Sequence, residues 1–303
     1  MSEWFETGEK WYPSEYGPDD VLGTLNEIKP QNLIRAASLV KQGRSFYLSH
    51  RMYNGMPGRY ENHGPFFYLL SQRAYDHRPP FREQTVNKFG GALCRVEMTD
   101  HLGTHLDSLN HISYDNLFYN GNSAYDLSTT YGTPKLGIDD VPPIVTRGIM
   151  VDCSPNGKIM KKGEPIMPEV VEKFLSDKNI EVQPGDAIFF RTGVGELWDR
   201  ASEYNTYYGS SPGIGIELAK WLSVRKVSVT GSDTPATEVT PSQIPKARLP
   251  VHQHLITKHG IRLIDNINLN ELSKEKIYEF MFVLSPLRFK GATASPVSPV
   301  AII

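Results

Sequence analysis

The sequence predicts an α/β fold: a single domain built on a mixed β-sheet with flanking helices. Two observations carry this. In the second half, apolar runs of strand length alternate with segments of helical periodicity, the order that lays helices against a sheet. The chain has 303 residues, 39% hydrophobic and 22% charged, a size and balance that one buried core can serve. No internal repeat or low-complexity tract divides it, so residues 1–303 are expected to fold as one unit.

The first thirty residues are rich in aromatics, Pro, Gly and acids. Trp4, Phe5, Trp11, Tyr12 and Tyr16 offer much area to bury, which predicts an ordered arm over the surface. From Pro30 the apolar spacing turns helical (Leu33, Ala36, Ala37, Val40), with Pro30 suited to the first turn and Gly43 to the stop. Phe46–Ser49 reads as a strand. Residues 51–91 are dense in Gly, Pro, Arg and aromatics (Met56-Pro57-Gly58, Pro65-Phe66-Phe67, Pro79-Pro80-Phe81) and are expected to form an irregular functional flap. Gly91–Met98 reads as a strand entering the segment that follows. Later strands are expected at Gly148–Cys153, Asp186–Arg191, Lys226–Thr230, Ile261–Asp265 and Phe280–Leu284. Helices are expected at Pro168–Asp177 and Ile216–Leu222.

Composition excludes several function classes. A net charge of -2 with no long basic block gives no electrostatic grip on nucleic acid or an anionic membrane. No apolar stretch approaches the roughly 20 residues of a membrane span. The start, Met1-Ser-Glu-Trp-Phe-Glu6, lacks the basic and apolar regions of a signal peptide, so a cytoplasmic location is expected. Cys94 and Cys153 form no metal or redox spacing and are expected to be buried, inert thiols.

The chemistry concentrates in His101-Leu-Gly-Thr-His105-Leu-Asp107-Ser-Leu-Asn-His111. Four potential ligands or proton carriers fall within this short run, although the whole chain has only nine histidines. Imidazole with carboxylate suits zinc, manganese or ferrous iron, and three protein ligands leave positions open for water and substrate. Gly103 and Thr104 predict a turn rather than a regular helix.

These residues resemble the His-x-Gly-Thr-His-x-Asp-x-Pro-x-His signature of the metal-dependent cyclase-like hydrolases, a family that includes bacterial kynurenine formamidase and isatin hydrolase. The resemblance continues through Asp20–Asn26, the helix beginning at Ala36, Leu48-Ser49-His50, Gly55-Met56-Pro57, Arg147–Asp152, Gly185–Thr192 and Leu249–Leu269. It implies the cyclase-like swivelling β/β/α fold, with residues 1–43 as the N-terminal extension of a longer branch. It also implies His101, His105 and Asp107 as metal ligands, His111 as catalytic acid/base, and His252 and Asp265 completing the metal site. His254 is the alternative to His252, and Glu238 a further candidate. Two departures stand out. Leu109 replaces the usual proline, which is expected to reshape the pocket wall, and Asp265 is one methylene shorter than the usual glutamate. The resemblance further implies a Mn²⁺ or Zn²⁺ cofactor, a small-molecule substrate of the kind met in tryptophan catabolism, and a homo-oligomer, dimer or tetramer.

The expected reaction is hydrolysis of a cyclic amide or imide, or of an aryl formamide. A divalent ion lowers the pKa of bound water from ~15.7 to about 7 with zinc, and His111 moves the proton to the leaving nitrogen. Arg59 or Arg73 is expected to hold a substrate carboxylate, with Tyr60, Phe66, Phe67 and Tyr68 as an aromatic wall. Ser232, Asp233 and Thr234 are expected to orient ligands or cap a turn. Three rival readings use the same residues. One is a cyclase or dehydratase of the same family. Another is an Fe(II) oxygenase with His105, Asp107 and His252 as ligands and Arg262 on its cosubstrate. The third is a metal-stabilised binding protein without turnover.

Overall fold

The computed structural model describes residues 10–76, 85–154 and 157–303, with the side chains of Tyr60 and Asn62 outside the description. Trp4, Phe5 and Pro79-Pro80-Phe81 therefore lie outside the described residues, as does any wall role of the Tyr60 ring.

One curled mixed sheet organises the molecule. In chain order its strands are β1 (Ser45–Tyr47), β2 (His105–Asp107), β3 (Ile144–Asp152), β4 (Ala187–Arg191), β5 (Val229–Ser232), β6 (Arg262–Asp265), β7 (Glu279–Leu284), β8 (Ala294–Pro296) and β9 (Val300–Ile302). Their order across the sheet is β1-β9-β7-β3-β4-β5-β6-β2-β8. The central four, β3, β4, β5 and β6, run parallel, and the outer strands pair antiparallel. The parallel strands are buried along their length, which is why they read as continuous apolar runs such as Ala187-Ile-Phe-Phe. β8, which contains Pro296, is the sheet's edge, where a residue without an N–H interrupts no ladder.

Helices cover the sheet. Helix α1 (Pro30–Ala37) opens on Pro30. It docks through Arg35 on the buried carboxylate of Asp186, which also receives Arg147 Nε at 3.2 Å. Helix α2 (Pro168–Lys178) ends at Asn179 in the left-handed conformation, and helix α3 (Ile216–Val224) buries Leu218, Ala219 and Leu222. One core cluster gathers α2, α3 and one face of the central strands (Ile188, Phe190, Leu263), and a second gathers the opposite face (Phe189, Ile264, Phe280, Phe282).

Ahead of α1 the chain crosses the surface as a strap. Asn120 donates to the carbonyls of Gly17 and Pro18 at 2.9 and 3.1 Å, and Tyr119 donates to Asp20 Oδ2 at 2.7 Å. Arg262, fully buried, donates to the Leu22 carbonyl at 2.6 Å and to that of Val21 at 3.2 Å.

The structure corrects two sequence expectations here. Residues 51–91 are not wholly irregular: they contain a helical turn, Tyr60–His63, and a strand, Phe67–Gln72. The strand expected at Gly91–Met98 forms at Leu93–Glu97, but pairs with Phe67–Gln72 as a separate ribbon rather than joining the sheet. All five residues of that second strand are exposed, so Cys94 is an exposed thiol, while Cys153 is half-buried against the core.

Candidate metal centre

Strand geometry assembles the site. On β2, His105 and Asp107 are two residues apart and so project from the same face, with Leu106 turned into the core between them. The antiparallel register sets Asp265 of β6 directly opposite His105, which puts its carboxylate on that face too. His105 Nε2 lies 3.6 Å from Asp107 Oδ1 and 3.7 Å from Asp265 Oδ2. A turn precedes the strand, with Gly103 at φ +67°. It folds His101 back over the group, Nδ1 standing 3.2 Å from Asp107 Oδ1. After the strand the chain turns again, His111 N–H bonding the Ser108 carbonyl at 3.2 Å, and the His111 ring lies 4.1 Å from that of His101. The motif is thus a turn and a strand, where the sequence predicted a turn.

Each imidazole is oriented from behind. His105 Nδ1 bonds the Gly103 carbonyl at 2.9 Å, freeing Nε2 for the carboxylates, and the same carbonyl accepts Asn266 Nδ2 at 2.9 Å. His101 Nε2 lies 3.0 Å from Thr293 Oγ1, which donates to Asp100. His252 Nδ1 is held at 2.6 Å by Glu238 Oε2, and the same oxygen accepts the His252 backbone N–H at 2.9 Å. Nε2 of His252 then faces Asp107 Oδ2 at 3.9 Å. Supporting bonds of this kind fix the tautomer and aim of metal-binding histidines.

Two overlapping triads have ligand spacing: His101, Asp107 and His111, and His105, Asp107 and Asp265. Asp107 belongs to both; His252 belongs to neither and stands at their edge. Both oxygens of Asp107, and Oδ1 of Asp265, are buried without a hydrogen-bond partner. Orphaned carboxylate oxygens cost on the order of 1–3 kcal/mol or more each, a cost that a bound cation removes. The donor set of imidazole and carboxylate fits zinc or manganese.

The charge pattern agrees with a cation site. Burial, reinforced by the charge of Asp107, lifts Asp265 to about 7. Burial opposes charge on Asp107 as well, yet the imidazoles of His111, His101 and His105 hold its carboxyl well below the ordinary value. Burial pushes His105 down to about 4 and His111 to about 3, leaving neutral rings able to bind a metal. Burial also works against charge on His252, but Glu238, then Asp265 and Asp107, outweigh it and raise the ring to about 9.

The triads lie in a cavity of about 680 Å³. Arg59 lines it. Phe66 and Phe67 do not: Phe66 is buried in a separate cluster with Met56, Leu102 and Trp198, and Phe67 is exposed on the ribbon beside Tyr68. Both are corrected as wall residues, and Tyr207 and Tyr208 take that place. Arg73 pairs with Asp76 at 3.0 Å away from the cavity, and Leu109 is buried in the core rather than shaping the pocket wall. Of the two distal histidines, His252 faces the cavity while His254 bonds Ser223 Oγ at 3.0 Å outside it. Asp233 accepts Thr192 Oγ1 and the backbone N–H groups of Thr192, Gly193 and Gly195, and Ser232 bonds Thr234, so this turn is structural. Sequence reasoning missed His63 and Arg248, which also line the cavity. His63 lies 6.2 Å from His101, and its only sequence signal was its place in the 51–91 segment.

The Cyclase family model matches residues 46–239. A solved structure described as a novel cyclase is 27% identical, covers 95% of this chain and 98% of its own, and superposes with a TM-score of 0.85. Isatin hydrolase A from Labrenzia aggregata is 22% identical over 88% of this chain and 94% of its own, with a TM-score of 0.63. The Ralstonia solanacearum enzyme of the same name is 16% identical over 85% and 91%, also at 0.63. Identities this low show a shared fold. No curated protein sequence matches the chain.

Proposed function

Because this chain belongs to the Cyclase family, we propose that it is a metal-dependent hydrolase that opens a cyclic amide or imide or cleaves an aryl formamide. The observation that carries the reading is the pair of triads sharing Asp107, with its carboxylate oxygens buried and unpartnered, in a cavity large enough for a small aromatic substrate.

His101, His105, Asp107 and Asp265 would hold the ion, with His111 or His252 completing its surroundings. When bound, a zinc or manganese ion supplies Lewis acidity toward a water and the substrate carbonyl. Gly103, Thr293 and Glu238 keep the imidazole nitrogens aimed while charge shifts during the reaction. His111 faces the cavity beside the His101 ring and takes the proton that water loses as its oxygen bonds to the carbonyl carbon. The same proton goes to the nitrogen as the C–N bond breaks. Products are a carboxylate and an amine, or a carboxylate and a carboxamide where an imide opens, on two molecules or on one opened ring, with the second proton of the water released to solvent. Tyr207 and Tyr208 give the ring of the substrate a wall and limit water on that side.

Arg262 disfavours the 2-oxoglutarate oxygenase reading. That chemistry requires an arginine facing the ligand, whereas Arg262 is buried against the carbonyls of Val21 and Leu22 and does not line the cavity. The proposal extends to a substrate from tryptophan breakdown, a cytoplasmic location and a homodimer. Among the described residues no helix is long and apolar enough to cross a membrane. The test is metal analysis of the purified protein followed by a panel of formamides, cyclic imides, lactams and lactones. Turnover of amides that chelation abolishes supports the reading; turnover of lactones alone would move the enzyme to another class.

A further inference from the structure

We infer that the substrate carries a carboxylate, which Arg59 and Arg248 bind at the open side of the cavity while the amide reacts at the triads. The identity of the reacting group rests on the hydrolase reading above; the anionic subsite rests on the two arginines.

Arginines in this fold are mostly committed. Arg147 pairs with Asp186 and Glu279, and Arg191 with Asp152 and Glu196. Arg262 is buried and turned onto the backbone carbonyls of Leu22 and Val21. Arg59 and Arg248 both line the cavity, both are exposed, and neither guanidinium has a carboxylate or hydrogen-bond partner among the described residues. The acids that line the same cavity are already engaged. Glu238 holds His252 at 2.6 Å, and Asp265 faces His105 within a triad. The cavity therefore has a metal-binding floor, a tyrosine wall and two uncompensated guanidinium groups toward solvent.

Arg59 directly precedes the Tyr60–His63 turn, whose first bond runs from the His63 N–H to the Arg59 carbonyl at 2.9 Å. That turn also brings His63 to the cavity wall, 6.2 Å from His101. Arg248 precedes Leu249, a non-glycine residue at φ +52° that caps the helical turn Pro250–His252. A backbone conformation disfavoured for leucine thus joins the Arg248 side of the mouth to the His252 side of the floor. Guanidinium groups recognise a carboxylate through paired N–H donors, so two at one mouth select an anionic arm over a neutral one. An aryl ring against Tyr207 and Tyr208 would connect that arm to the amide.

The test uses matched aryl formamides, one with a ring carboxylate and one with its methyl ester, on the metal-loaded enzyme. A charged hydrogen bond of ~1.5–3 kcal/mol corresponds to a preference of about 10–100-fold in kcat/KM for the carboxylate. In the Arg59→Ala/Arg248→Ala double variant that ratio should fall toward one, mostly through KM, and Arg→Lys at both positions should restore part of it. Binding of phenylacetate to the metal-loaded protein, read by calorimetry, should weaken about 10-fold or more in the double variant. If carboxylate and ester are hydrolysed with equal kcat/KM and the double variant leaves their ratio unaltered, the subsite is overturned while the hydrolase reading stands. If neither formamide is hydrolysed but phenylacetate binding weakens in the double variant, the subsite stands and the hydrolase reading fails. Unaltered phenylacetate binding in the double variant, with neither formamide hydrolysed, overturns the subsite as well.

Discussion

Replacing Glu238 by Gln should expose how much of the site depends on one carboxylate that makes no bond to the reacting atoms in this account. Glu238 Oε2 accepts both the ring Nδ1–H and the backbone N–H of His252, at 2.6 and 2.9 Å. Both side chains are almost wholly buried. With this support His252 titrates at about 9, against an ordinary 6.5. Glu238 acts here ahead of Asp265 and Asp107 and against burial, and a charged hydrogen bond of this kind is worth ~1.5–3 kcal/mol in the metal-free protein. The sign follows from the raised value: the contribution is fully present below pH 6.5 and is lost as pH rises through about 9. Gln keeps the shape and an acceptor but not the charge. Urea unfolding of metal-free protein should therefore show the variant weaker than wild type by ~1.5–3 kcal/mol at pH 6. Near pH 10 the gap should shrink toward the ~1 kcal/mol of a neutral hydrogen bond. With metal, turnover should fall ~10–100-fold, the usual effect of losing a supporting partner. A stability gap that is the same at pH 6 and pH 10 would refute the claim that Glu238 acts through the charge of His252.

Asp107→Ala should abolish metal binding, because both triads share that residue, and equilibrium dialysis with zinc or manganese reads it directly. Metal affinity in wild type should drop below about pH 6, since protons compete for the imidazoles, and metal uptake near pH 7 should release protons, measurable in weakly buffered solution. His50 and His254 are pushed by burial to about 3 and about 2, so the unfolded chain binds protons that the native state does not. Stability should therefore fall as pH drops below about 6.5, and His254→Gln should flatten that slope in acid urea titrations. Gly23→Ala should destabilise by at least ~2 kcal/mol in thermal or urea unfolding, because a Cβ at φ +62° would stand 2.1 Å from the Gly260 carbonyl oxygen.

Local pattern made the central elements legible. Buried parallel strands need apolar side chains on both faces, so β3 to β6 announced themselves within a few residues of their observed ends, as did antiparallel β7 with its apolar run Phe280–Leu284. The short strands β8 and β9 did not, because three residues carry no period and their pairing is decided across the sheet. The ribbon Phe67–Gln72 with Leu93–Glu97 was half visible: its second strand read as β structure, but nothing local told that it would leave the sheet. Within the site, His101, His105, Asp107 and His111 were readable because ligands crowd one segment. Their grouping was not, since Asp265 joins His105 only through the β2–β6 register. Phe66 and Phe67 look alike in sequence as a substrate wall, yet one is buried in a cluster and the other faces outward on the ribbon. Arg248 and His63 carry no distinguishing pattern and became visible only as cavity lining.

The central claim is most directly tested by following formate and amine release from an aryl formamide, together with ring opening of a cyclic imide, as metal is removed and restored. The account predicts that turnover of at least one of these disappears with chelation, returns with zinc or manganese in proportion to bound ion, and is absent in Asp107→Ala. Full turnover by metal-free protein, or none of either substrate by protein carrying its full complement of ion, would contradict it.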